Sequence, residues 1–126
     1  MLSDYPAMPT LAVSDLQRAR DFYEGVLRFS PQGEPTEGVT YGVKSGAIFV
    51  YPSTYAGTNQ ATAVSFEVPQ EAFETEVDAL RASGVTFQTF EMDQITWEGD
   101  VAVFEGARSV WFADPDGNIL NLQSSR

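Results

Sequence analysis

The sequence predicts an α+β fold built from two βαβββ halves, and three observations carry that expectation. A short apolar stretch runs into a helical stripe twice, once near Ser14 and again near Pro69. The span from strand end through helix to next strand start is Val13–Phe29 in the first half and Val68–Val85, one residue longer, in the second. Each half then supplies further strand candidates separated by turn residues.

The elements follow in order. Ala7–Val13 is short, mostly apolar and extended in character. Ser14, with Gln17 three positions on, has the spacing of a capping box and predicts a helix from about Asp15. Leu16, Ala19, Phe22, Tyr23, Val26 and Leu27 fall at helical spacing, and Gly25 weakens the last turn, so this helix should end around 26–28. Pro31, Gly33, Pro35 and Gly38 then break the chain into short pieces. Val39–Lys44 and Ala47–Tyr51 read as strands around a turn at Ser45-Gly46, and the polar stretch 53–60 reads as a linker.

In the second half, Thr62–Val68 reads as a strand leading to Pro69 at a helix start. Phe73, Val77 and Leu80 mark that helix's apolar stripe, and Gly84 stands where its C-terminal cap belongs. Val85–Met92, Val101–Glu105, Ser109–Ala113 and Asn118–Gln123 are strand candidates, the last two joined by a tight turn at Asp114-Pro115-Asp116-Gly117. The chain therefore divides into module one, about 5–52, and module two, about 61–126, of a single domain spanning residues 1–126.

Composition excludes whole classes of chemistry. Among 126 residues there is no His and no Cys, which removes zinc-finger sites, Ser-His-Asp triads, Cys nucleophiles and disulfides. With 18 Asp+Glu against 7 Lys+Arg, the formal charge of -11 argues against nucleic acid and anionic membrane surfaces as partners. No apolar run approaches a membrane span, and the N-terminus lacks the features of a signal peptide, so the expectation is a cytoplasmic protein. At 43% apolar and 13% aromatic, the chain has enough material for a packed core.

Three local signatures, LAVSDLQRARDFYEGVLRF (Leu11–Phe29), VSFEVPQEAFETEVDALRASGV (Val64–Val85) and FADPDGNILNL (Phe112–Leu122), stand in the order found in a known family. With them the chain resembles the vicinal oxygen chelate superfamily of glyoxalases, extradiol dioxygenases and bleomycin-resistance proteins. One departure is Arg28, where the family usually has Gly before the aromatic. The resemblance implies a curved mixed sheet from the two modules around a central cup, with the helices outside. It also implies pairing of modules within one chain or across a homodimer, and because sheet edges need covering a homodimer is the expectation.

Strand alternation assigns the faces. Leu11, Val13, Val64, Phe66, Val68, Val110, Phe112, Leu120 and Leu122 belong to the helix-facing core. Met8, Thr10, Phe49, Tyr51, Ser65, Trp111, Asn121 and Gln123 then face the cup as candidate ligand-binding residues. Met8, Phe49, Tyr51 and Trp111 would form walls, and the other four would supply hydrogen-bonding groups. Met8 and Phe49 serve equally as filler of a small barrel-like interior.

Metal-dependent members of that superfamily hold their ion with His, Gln or Glu from the first, fourth, fifth and last strands. Carried over position by position, these fall on Met8, on Phe49 (or Ile48 for a register one residue different), on Ala63 and on Asn121. No carboxylate or imidazole remains, so neither a metal nor any other cofactor is expected. Asp114 and Asp116 sit in a turn that lacks the longer loop and distal Glu of a calcium-binding EF-hand, and a plain turn is the better reading.

Ten of the 18 acids lie in Glu67–Glu105 beside a single base, Arg81. Glu71, Glu74 and Asp78 read as a solvated helix face, whereas Glu91 and Asp93, near Trp97, read as a rim for a cation. The resemblance to bleomycin-resistance proteins points the same way. The expected function is therefore metal-free binding or sequestration of a small, aromatic or cationic molecule. The alternative is a superfamily enzyme of lyase or isomerase type working without the divalent metal, with Glu67 as base and Tyr51 or Asn121 as polariser.

Overall fold

The structure, a computed structural model, describes residues 1–125. After a single 3-10 turn at Leu2–Asp4 the chain forms β1 (Thr10–Val13) and α1 (Leu16–Arg20), which widens into a π-turn at Asp21–Val26. β2 (Val39–Val43) and β3 (Gly46–Pro52) complete the first half. The second half comprises β4 (Thr62–Val68), α2 (Gln70–Ala82), β5 (Thr96–Glu98), β6 (Val101–Phe104), β7 (Ala107–Ala113) and β8 (Ile119–Ser124).

The strands make two open mixed sheets, one ordered β1-β3-β2 and the other β4-β8-β7-β6-β5. In each sheet the first strand runs parallel to the last one of its half, β1 beside β3 and β4 beside β8, and the remaining pairs are antiparallel. α1 packs on β3, and α2 packs on β7 and β8. The apolar positions of the helices meet one face of the sheets in a single cluster that includes Leu11, Val13, Tyr23, Val50, Phe73, Val77, Val110 and Leu120. No helix among the described residues is long and apolar enough to cross a membrane.

Several boundaries differ from the sequence expectation, each for a local reason. Asp15 rather than Ser14 caps α1: its carboxylate accepts from the Arg18 N–H at 3.1 Å, while the Ser14 hydroxyl accepts from the Arg18 guanidinium. Gln17 reaches forward to Asp21 instead of back to the cap. The strand that should follow α1 is reduced to one bridge, Pro31–Tyr41, because Pro31 has no N–H to extend a ladder.

Val85–Met92 is likewise not a strand; it contributes only the bridge Gln88–Trp111. β6 covers β7 only along 107–109, leaving room beside Trp111 for a single contact before the chain departs as a loop. That loop returns as β5, a short strand absent from the sequence expectation. Glu105 and Gly106, at φ 49 and 83, make the two-residue hairpin turn between β6 and β7.

The halves are stitched by the Asp114–Gly117 turn. One Asp114 oxygen accepts from the N–H groups of Asp116 and Asn118, and the other accepts from Tyr23 Oη and Asn118 Nδ2. Asn118 Nδ2 also donates to the Ala12 carbonyl of β1 at 2.8 Å. With all four bonds made inside the fold, the Asp114 carboxylate is a structural hub, as the plain-turn reading requires. Burial, reinforced by the neighbouring Asp114 charge, holds the Tyr23 hydroxyl well above the usual tyrosine range.

Candidate functional site

The strand alternation that buries Val110, Leu120 and Leu122 turns Trp111 and Gln123 to the opposite face of the second sheet. There they line a cavity of about 520 Å³ together with Glu67, Ser109, Met92 and Asp93. Register explains the grouping: Gln123 on β8 lies directly between Glu67 on β4 and Ser109 on β7. Ala102 and Phe104 of β6 extend the floor.

Trp111 belongs to an aromatic trio. Phe90 meets it edge-to-face with ring centres 4.9 Å apart and meets Trp97 in the same way at 5.4 Å. Trp97 and Trp111 are 6.3 Å apart. The single Gln88–Trp111 bridge brings Phe90 to this position, and the β5–β6 hairpin brings Trp97. The lining includes two carboxylates, Glu67 and Asp93, and no Lys or Arg among the described residues.

None of the other sequence-nominated ligand residues lines this cavity. Phe49 and Tyr51 are half-buried and stacked at 5.9 Å on the face of the first sheet opposite buried Ile48 and Val50. Thr10, the register partner of Phe49, donates its hydroxyl to the Met8 carbonyl and borders a separate hollow of about 270 Å³ beside Ala63 and Asn118. Met8 is 45% exposed. Ser65 lines a separate groove of about 710 Å³ between the free edge of β4 and the β2–β3 turn.

Asn121 is 3% exposed, and its Nδ2 donates to the Val110 carbonyl at 3.1 Å. Its amide nitrogen is tied to its own sheet. Sequence reasoning did not nominate Ala102, Phe104 or Ile95 as lining. Their short, irregular strand and loop gave no clean alternation from which a face could be assigned.

The positions that the superfamily pattern assigns to a metal do not fit one. The Ala63 side chain carries no donor atom, the Met8 and Phe49 side chains offer no hard oxygen, and the Asn121 amide oxygen would be left as a single neutral ligand. Nor do the described residues bring together any group of three or more carboxylates that could replace them.

The fold and this site geometry define a two-module protein with a ligand-sized cavity on the open face of its larger sheet. The sequence profile of the Glyoxalase/Bleomycin resistance protein/Dioxygenase superfamily matches residues 6–122, and the chain belongs to that superfamily. No curated protein matches the sequence.

Among solved structures, an integron cassette protein from the mobile metagenome of Halifax Harbour sewage outfall is similar at a TM-score of 0.68 and 21% identity, covering 94% of this chain and 96% of that one. The fosfomycin resistance protein FosX from Mesorhizobium loti is similar at a TM-score of 0.68 and 15% identity, covering 100% and 95%. A glyoxalase/bleomycin resistance protein/dioxygenase from Alicyclobacillus acidocaldarius reaches 0.71 at 14% identity, covering 96% and 91%. At these identities the likeness is one of fold.

Proposed function

We propose that this protein binds a small molecule with an aromatic portion and a cationic group, without a metal, in the cavity beside Trp111. The observation that carries the proposal is the pairing of an aromatic wall with carboxylates in one ligand-sized space: Trp111 on the side, Glu67 and Asp93 at the margins, and no base among the described lining residues. An indole face attracts both flat apolar groups and cations, and the carboxylates bias the choice toward cations. Gln123 and Ser109, side by side in register, supply hydrogen bonds that orient the guest.

Calorimetric titration against a panel of basic aromatic antibiotics tests this reading. Binding with a negative heat-capacity change, lost in Trp111→Ala, is the expected result. Uniformly absent heats would overturn it. Conversion of a bound compound that survives chelator and disappears in Glu67→Gln would instead establish a metal-free enzyme with Glu67 as base.

The same proposal includes a homodimer. β1, β4 and β5 stand at sheet edges with no strand on their outer side, and a second copy would cover such edges. Light scattering should return twice the 13.8 kDa chain mass; a value of one chain mass at micromolar concentration would exclude it.

A further inference from the structure

The aromatic trio divides two spaces. Beyond it a second concavity of about 660 Å³ is lined by Phe90, Glu91, Trp97 and Gly99. Both hollows count Met92 and Asp93 among their lining, so these two residues form a lip common to both. Met92 is 59% exposed, an apolar, flexible side chain in the position of a saddle between the hollows.

Charge follows the same division. The first hollow has Glu67, the second has Glu91, and Asp93 stands on the lip. Four of the chain's acids are held by arginines elsewhere: Asp116 by Arg18, Glu24 by Arg20, Asp100 by Arg81 and Glu74 by Arg108. Among the described residues, Glu67, Glu91 and Asp93 enter none of these ion pairs, and neither hollow is lined by a Lys or Arg.

We propose that the natural ligand is an elongated dication that fills both hollows at once, its apolar middle lying over Met92 and one cationic end in each lobe. The proposal rests on the binding reading given above and extends it to the shape and charge of the guest. From β4, which carries Glu67, to β7, which carries Trp111, is two strand spacings, about 10 Å, and Glu91 lies in the loop beyond. A one-ring amine is too short to reach both carboxylates, whereas a rod of two joined rings with an amine at each end can do so.

The test compares naphthylmethylamine, a short monocation, with a biphenyl carrying an aminomethyl group at each para position, by calorimetry at low ionic strength. The dication should bind about tenfold more tightly, and Glu91→Gln should weaken it about threefold, the size of one exposed ion pair, while leaving the monocation unchanged. The two tryptophans provide an independent readout, since Trp111→Phe leaves only Trp97, which borders the second hollow. In that variant, at concentrations where calorimetry shows each compound bound, the dication should shift the emission and the monocation should not.

A dication with no advantage over the monocation, or with no sensitivity to Glu91→Gln, overturns the two-lobed site while the single-hollow reading stands. Failure of both compounds to bind removes both.

Discussion

Tyr23 donates its hydroxyl to Asp114 at 2.8 Å, joining the π-turn that follows α1 to the turn that precedes β8, 91 residues away. Both residues are buried, and Asp114 collects three further donors, so the pair is a bolt between the halves. Tyr23→Phe removes one donor of four and should lower unfolding stability by about 1–2 kcal/mol. Asp114→Ala strands the Tyr23 hydroxyl and the Asn118 amide together and should cost about 3–5 kcal/mol. Urea unfolding of the two variants checks the order; equal losses would mean that the carboxylate does not organise the turn.

The same tyrosines predict the behaviour at high pH. Burial holds the hydroxyls of Tyr23 and Tyr41 above the usual tyrosine range, and the carboxylates they donate to, Asp114 and Glu24, push them further up. The unfolded chain releases these protons near the ordinary value of 10.0, while the folded chain keeps them. Above that pH the folded state holds more protons, so stability is intact below about pH 10 and falls above it, by up to about 1.4 kcal/mol per pH unit for each tyrosine. Thermal melting followed from neutral to alkaline pH should show this fall, and Tyr41→Phe should flatten it.

Arg28 stands at φ 64, in the left-handed region, where the Phe29 N–H reaches back to the Tyr23 carbonyl to close the helix end. Its place in the opening signature is one where glycine is usual, and the backbone supplies the reason. Arg28→Gly should stabilise the protein by about 0.5 kcal/mol, the relief of the left-handed strain less the added freedom of glycine in the unfolded chain. Arg28→Ala removes the charge but keeps the strain and should show no such gain, so chemical denaturation of both variants separates backbone from charge.

The contrast between Arg28 and Asn121 shows how far the sequence could be read. Along β1, β7 and β8 the faces were legible: Leu11, Val13, Val110, Phe112, Leu120 and Leu122 are all buried as alternation requires, while Val64, Phe66 and Val68 of β4 pack against the same core half-buried. Where geometry depends on which chain segment arrives alongside, it was not. Val85–Met92 alternates like a strand yet finds room for one bridge, and the outcome is the Phe90 loop that walls the cavity. Alternation set Asn121 on the same face as Trp111, its register partner, but its bond to Val110 was not legible, because periodicity assigns a face and says nothing of a side chain's partner.

Divalent ions provide a test of the substituted metal positions. If Met8, Ala63 and Asn121 have left no site, about 1 mM manganese, nickel or zinc should leave the thermal midpoint where chelator leaves it. Linkage makes this a sensitive measurement. An ion present at about 100 times its dissociation constant would add about 2.7 kcal/mol. That corresponds to a midpoint rise of roughly 5–15 °C for a domain of this size. Moderate salt removes the diffuse attraction of ions to a chain of charge -11, so any rise that persists there reports a specific site. Such a rise, kept in Asp114→Asn and lost in Asn121→Ala, would show that the superfamily's metal position still functions in this chain and would overturn metal-free binding.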